Sequence, residues 1–268
     1  MSPVFRAFTG DTPLLISVPH DGRDLPTDMV ARMTDVGRSI PDTDWHVARL
    51  YKFATELGAS MVIANYSRYV VDLNRAADDD ALYPGQVATG LFPQQTFAGE
   101  AIYRDDEFED GEGEERLKKY WAPYHQHIQA TLDALREKYG YALLWDAHSI
   151  SSIVPRLFDG ELPELNLGSN GGTSCAKQLE FAVAEAAEDS PYSAVVNTRF
   201  KGGYITRNYG DPENHIHALQ LEIAQRAYMD EKTRTFDGWK AATLQDTLKK
   251  MLHAYNNAAN SFIEHSSW

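Results

Sequence analysis

The sequence predicts an α/β protein with a mainly parallel or mixed sheet flanked by helices. Three observations carry that reading. Short apolar runs recur at residues 14–18, 60–64, 69–73, 142–145, 194–197 and 219–223. Most lack strict in–out alternation, which suits strands buried on both faces of a helix-covered sheet. Between them lie segments of helical spacing, and strands alternating with helices favour parallel pairing.

The helices follow in order. Residues 43–57 place Val47, Leu50, Phe53, Ala54 and Leu57 at helical spacing and stop at Gly58, which suits a helix C-terminus. Residues 112–138 form a long, charge-rich helix closed by Gly140. Residues 176–187 and 240–263 are two further amphipathic helices. Residues 76–100 and 151–174 resist regular structure, because Pro84-Gly85 and Thr89-Gly90 interrupt the first and Pro155, Gly160, Pro163 and Gly168-Ser169-Asn170-Gly171-Gly172 the second. Loops of this length in a compact domain are usually lids or binding loops. With 268 residues and no internal repeat, a single domain over 1–268 is expected.

Composition narrows the partners. A net charge of -14 argues against nucleic acid and anionic membrane, both of which need basic surface. An anionic substrate would therefore need a local cluster of arginines. The single cysteine, Cys175, excludes an intramolecular disulfide and a Cys-rich zinc site. No apolar run approaches the ~20 residues of a membrane span. The opening Met1-Ser2-Pro3-Val4-Phe5-Arg6 lacks a signal-peptide pattern, so cytoplasmic residence is expected.

Two of the apolar runs each lead into a histidine: Leu14-Leu15-Ile16-Ser17-Val18-Pro19-His20 and Ala142-Leu143-Leu144-Trp145-Asp146-Ala147-His148. Two such strands deliver imidazoles to the carboxyl edge of one sheet, where open α/β sheets bind ligands. Histidine is the commonest metal-binding side chain, so the pair points to a metal-dependent hydrolase. A hydrolytic zinc site takes three protein ligands and leaves a fourth position open. The third ligand, a carboxylate or a further histidine, is sought in Pro41-Asp42-Thr43-Asp44-Trp45-His46, which offers Asp42, Asp44 and His46; Asp42 also suits a helix N-cap and Asp44 the first helical turn.

Glu222 stands among apolar neighbours in Leu219-Gln220-Leu221-Glu222-Ile223. A buried carboxylate has a raised pKa and suits a general base. Arg68, Arg75, Arg156, Arg199 and Arg207 cluster near these elements, and arginine grips carboxylates bidentately. His217 either hydrogen-bonds a reaction intermediate or caps a loop. His125 and His127 read as helix surface or packing residues, and Cys175 as a packed thiol.

An ordered set of motifs then resembles the N-formylglutamate amidohydrolase family. It begins with Ser17-Val18-Pro19-His20-Asp21-Gly22, Asp42-Thr43-Asp44-Trp45, Val71-Asp72-Leu73-Asn74-Arg75 and Asp146-Ala147-His148-Ser149-Ile150. Pro155-Arg156-Leu157-Phe158, Asn166-Leu167-Gly168, Lys201-Gly202-Gly203-Tyr204-Ile205-Thr206-Arg207 and Leu219-Gln220-Leu221-Glu222 continue it. The resemblance runs from about Pro13 to Ile223; each motif alone is weak, and the order makes the set specific.

The resemblance implies a phosphorylase/hydrolase-like fold akin to zinc exopeptidases. It also implies hydrolysis of N-formyl-L-glutamate to formate and glutamate, in histidine degradation. The cofactor would be Zn²⁺ or another divalent metal, and the partner a small anionic N-acyl amino acid. The pattern of a histidine, an acidic residue and a second histidine, with a later catalytic glutamate, falls on His20, Asp44, His148 and Glu222. It favours Asp44 over Asp42, with Asp standing where Glu is usual. On this view Arg75 and Arg207 grip the glutamate carboxylates, Arg68 and Arg156 complete the substrate-binding set, His217 assists Glu222, and Asp146 orients His148. A small formyl pocket is expected near Trp145 or Tyr204. The rival readings are a related zinc amidase for another N-acyl amino acid or a cell-wall peptide, and a non-catalytic metal or acidic-ligand binding module.

Overall fold

A computed structural model describes residues 3–79, 89–104 and 111–266. Its frame is a seven-stranded mixed sheet built from β1 (Phe5–Phe8), β2 (Leu14–Val18), β3 (Ser60–Ala64), β4 (Ala142–Ile150), β5 (Leu165–Gly168), β6 (Ala194–Val196) and β7 (Ile216–Ala224). The order across the sheet is β1-β3-β2-β4-β7-β5-β6. The central pairs β3/β2, β2/β4 and β4/β7 are parallel, as the sequence predicts. The pairs β1/β3 and β5/β7 are antiparallel and make the sheet mixed. A small ribbon, β8 (Met229–Asp230) with β9 (Thr235–Phe236), lies outside it.

Alternation along the strands sorts the core into two layers. On one side Leu143, Trp145 and Ala147 meet Leu179 and Val183 of α6 (Lys177–Glu188) and Leu244, Leu248 and Tyr255 of α8 (Gly238–Ser266). On the other, Ala142 and Leu144 meet Tyr124, Ile128 and Leu132 of α5 (Ala122–Tyr139). All nine residues of β4 and all nine of β7 are buried, because both faces are covered. The long helix arrives in three pieces: α4 (Glu112–Arg116), a π-helical turn at Leu117–Trp121, and α5. Pro123 lies in the first turn of α5. It lacks the N–H that a regular helix would use, and the wider turn just before it absorbs the defect.

Several expectations are corrected. Residues 69–73 form turns and irregular backbone, although Tyr69, Val70, Val71 and Leu73 are all buried. A buried irregular segment and a fully buried strand have the same apolar composition, so periodicity does not separate them. The helix expected at 43–57 is only α3 (Val47–Leu50) followed by a 3-10 stretch, Tyr51–Thr55. It starts late because His46 takes a left-handed conformation, at φ 66°. Residues 151–174, read as loop, contain the four residues of β5. The two short helices Thr27–Arg32 (α1) and Asp35–Arg38 (α2), with Tyr204–Tyr209 (α7) and the 3-10 turns Pro212–Asn214 and Gln225–Ala227, complete the described elements. Residues 80–88 of the first predicted loop lie outside the described residues.

Candidate active site

Three buried side chains meet beyond the carboxyl end of β2. His20 follows that strand by two residues, His148 projects from β4 near its end, and Asp44 lies in the irregular stretch ahead of α3. The Asp44 backbone N–H donates to the His20 carbonyl at 3.1 Å, which ties the two segments together. The Nδ1 atoms of His20 and His148 are 3.2 Å apart, and Asp44 Oδ2 lies 3.0 Å from the latter and 3.8 Å from the former. Among the described residues this is the group of histidine and carboxylate side chains able to converge on one metal ion.

The far side of each imidazole is fixed by a carboxylate. His20 Nε2 meets Asp72 Oδ1 at 2.7 Å, and His148 Nε2 meets Asp146 Oδ2 at 2.9 Å. Asp146 in turn accepts from Ser17 Oγ at 3.1 Å and from Asn74 Nδ2 at 3.3 Å, while Asp72 Oδ1 accepts from the Asn74 backbone N–H at 2.9 Å. With Nε2–H donated to a carboxylate, each ring turns an Nδ1 lone pair inward. This is how metal-binding histidines are usually oriented. Ligand bonds of 2.0–2.2 Å in a tetrahedral site put ligand atoms about 3.4 Å apart, close to the separations seen here. The donor set of two imidazoles and one carboxylate fits Zn²⁺ and other divalent ions of similar preference.

Electrostatics agree with a site built to hold a cation. Burial raises the Asp44 pKa, but hydrogen bonds from His148 and His20 outweigh it and hold the carboxyl below its usual range. Burial likewise raises Asp72, and His20 and Arg68 beside it hold its carboxyl below the usual range. His148 is raised well above its ordinary value: burial opposes its charge, and the carboxylates of Asp146 and Asp44 more than compensate. A proton shared there occupies the position that a metal would take.

Glu222 is the register partner of His148 on the adjacent parallel strand, and their side chains emerge on the same face of the sheet. Its pKa is pushed up to about 8, first by burial, with the charges of Asp44 and Asp146 adding to the rise and those of His148 and Arg68 opposing it. A cation held by the neighbouring triad would pull it back down. The cavity in front of these groups has a volume of about 110 Å³. Its cationic wall is Arg68, Arg75 and Arg199, and its apolar wall is Phe97, Ile150, Leu157 and Phe200. Such a pocket admits a small anionic molecule in a protein whose overall charge is negative.

Comparison with known proteins decides the family. The family model for N-formylglutamate amidohydrolase matches residues 12–229. The chain belongs to the N-formylglutamate amidohydrolase family. A protein named N-formylglutamate deformylase from Pseudomonas putida is 49% identical over 260 residues, spanning 95% of this chain and 96% of its own. One of the same name from Pseudomonas aeruginosa is 53% identical over 237 residues, spanning 87% and 88%. The crystal structure of N-formylglutamate amidohydrolase from Ralstonia eutropha JMP134 superposes with a TM-score of 0.82 at 24% identity, covering 99% of this chain and 100% of that one. It shares the fold.

Within this family frame the residues expected at the site divide into two groups. His20, Asp44, His148, Glu222, Arg68 and Arg75 come together around the cavity. Asp42 does not: its Oδ2 accepts from Tyr69 Oη at 2.6 Å and from the Phe97 N–H at 2.8 Å. His217 does not either. It is five residues before Glu222 on β7, so it faces the opposite side of the sheet about 17 Å along the strand, and its Nδ1 accepts from the Ala176 N–H at 3.3 Å. Arg207 spends its Nε–H on the Gly202 carbonyl at 2.9 Å, and Arg156 spends its guanidinium on Thr96 O and Gln95 Oε1. Neither lines the cavity. Trp145 is buried in the opposite layer, bonded to Tyr51 Oη at 2.9 Å, and Tyr204 packs on Trp121 and His125. The apolar lining of the cavity comes instead from Phe97, Ile150, Leu157 and Phe200.

Asp72 and Asn74 contact the candidate site residues, and the sequence assigns them no role. Reading 69–73 as a strand hides them; Asp and Asn two apart, beside Arg75, are the available signal. Asp146 is more legible, since residues two apart on a strand share a face and Asp146 must lie beside His148.

Proposed function

We propose that this chain hydrolyses N-formyl-L-glutamate to formate and L-glutamate, with Zn²⁺ or a similar divalent ion held by His20, Asp44 and His148. The observation that carries the reading is the placement of Glu222, a buried carboxylate facing the same cavity as the triad and the arginines. A metal ion held there would polarise the formyl carbonyl and make a nearby water more acidic. Glu222 takes a proton from the attacking water as the new C–O bond forms, then passes it to the nitrogen as the C–N bond breaks. Formate and the free amine of glutamate result.

Arg75 and Arg199, which line the cavity, would meet the substrate carboxylates. The Nε of Arg75 is buried and has no hydrogen-bond partner among the described residues, which leaves it available to an anionic ligand. Arg199 is anchored through Nε to the Leu157 carbonyl at 2.9 Å and lines the same wall. Arg68 lies in hydrogen-bond contact with His20 Nδ1, a contact that an ion held by the triad would displace. Phe97, Ile150, Leu157 and Phe200 limit the room for an acyl group, which favours formyl over larger acyls. We place the reaction in histidine degradation and in the cytoplasm; no helix among the described residues is long and apolar enough to cross a membrane.

The test is formate release from N-formyl-L-glutamate by protein loaded with Zn²⁺, set against N-acetyl-L-glutamate and an uncharged N-formyl amino acid. Preference for the first substrate over both supports the reading. Equal turnover of all three would remove the proposed carboxylate contacts and the small acyl pocket together.

A further inference from the structure

We infer that Trp121 and His125 are positioning residues, a clamp on one helix that holds the Leu73–Arg75 backbone so that Asn74 and Arg75 face the site. The two side chains sit four residues apart, so they share a face of the helix across the π-to-α junction. Trp121 Nε1–H donates to the Arg75 carbonyl at 3.0 Å, and His125 Nε2 meets the Leu73 carbonyl at 2.9 Å. Because a carbonyl only accepts, the proton of His125 is on Nε2, and Nδ1 is then the acceptor for Tyr209 Oη at 2.9 Å. The indole and imidazole rings lie against each other with centroids 3.9 Å apart. On the same helix, Arg116 Nη1 donates to the Val70 carbonyl at 3.1 Å.

The gripped segment has no strand ladder or helix of its own to hold it. Asn74, between the two clamped carbonyls, gives its side-chain Nδ2 to Asp146 and lies 3.0 Å from His148 Nε2, while its Oδ1 accepts the Ile205 N–H at 2.8 Å. Asp72, two residues earlier, holds His20. Loosening this turn disturbs the outer partners of both histidines at once. Removing a direct outer partner typically costs 10–100-fold in metal affinity. The clamp acts one step further out, and a loss of about threefold to tenfold is expected.

The inference rests on the metal site and activity proposed above, and the experiment separates the two. Zn²⁺ affinity, measured by competition with a chromophoric chelator, is combined with kcat and KM for formate release from N-formyl-L-glutamate. His125→Phe and Trp121→Phe each keep an aromatic ring and remove a donor. Both should weaken Zn²⁺ binding about threefold to tenfold and lower kcat, while His125→Gln, whose amide N–H can replace Nε2–H, should recover most of the loss. Wild-type Zn²⁺ affinity and kcat in both Phe variants would overturn the clamp. So would equal losses in His125→Phe and His125→Gln, which would assign the effect to packing. If His125→Phe does not fold, Trp121→Phe decides at a half-buried position. If wild-type protein binds Zn²⁺ but releases no formate, the proposed activity fails and the Zn²⁺ affinities alone judge the clamp.

Discussion

The Nδ1 atoms of His20 and His148 face each other at 3.2 Å while their Nε2 atoms are each held by a carboxylate, Asp72 and Asp146. With Asp44 Oδ2 beside them, these nitrogens form a donor set that a single divalent ion would bridge. That arrangement makes metal content the first expected property of the protein. Wild-type protein should bind one Zn²⁺ per chain, and His148→Ala and His20→Ala should lose most of it. Full metal content in His148→Ala, measured by atomic emission, would remove His148 from the site.

The outer carboxylates give a graded version of the same test. Asp146→Asn and Asp72→Asn leave the three ligands in place and weaken the hold on the imidazoles, so Zn²⁺ affinity should fall about 10–100-fold. Unchanged affinity in chelator competition would make both carboxylates structural only.

The arginines divide sharply. Arg75→Ala should raise KM for N-formylglutamate through loss of a charged hydrogen bond, about 1.5–3 kcal/mol. Arg207→Ala should change it little, because its Nε–H is given to the Gly202 carbonyl and it does not line the described cavity. The comparison is made in steady-state kinetics, and a larger effect from Arg207 than from Arg75 would reverse the assignment.

Acid should weaken the fold in part through His125. Burial lowers its pKa from 6.5 to about 4, so between those values the unfolded chain binds the proton more readily than the folded one. The contribution is therefore complete above about pH 6.5 and is lost as pH falls toward 4, a difference of one in pKa being worth roughly 1.4 kcal/mol. Urea unfolding of wild type should lose stability more steeply over this range than that of His125→Gln. Parallel curves would show that His125 keeps an ordinary pKa.

The parts of this molecule legible in its sequence are those where local pattern and tertiary role coincide. β2 and β4 are apolar because they are central, and the histidines that follow or end them are conspicuous for the same reason. Glu222 stands out because a carboxylate in an apolar run needs an explanation. Asp72 and Asn74 do not stand out, since their segment is buried without being a strand and its backbone is held by side chains 46 to 52 residues away, Trp121 and His125. His217 and Arg207 are drawn in by closeness in sequence. Strand parity turns His217 to the other layer, and a backbone carbonyl takes up Arg207 Nε. The fold's antiparallel additions, β1 and β5, are four residues each and too short to show a period.

Glu222→Gln tests the central claim most directly. The amide keeps the shape of the side chain and cannot accept the water's proton, so kcat for N-formylglutamate should fall about 10²-fold or more while Zn²⁺ content and KM stay near wild type. Near-wild-type turnover of Glu222→Gln across pH would contradict the mechanism and leave the site without its base.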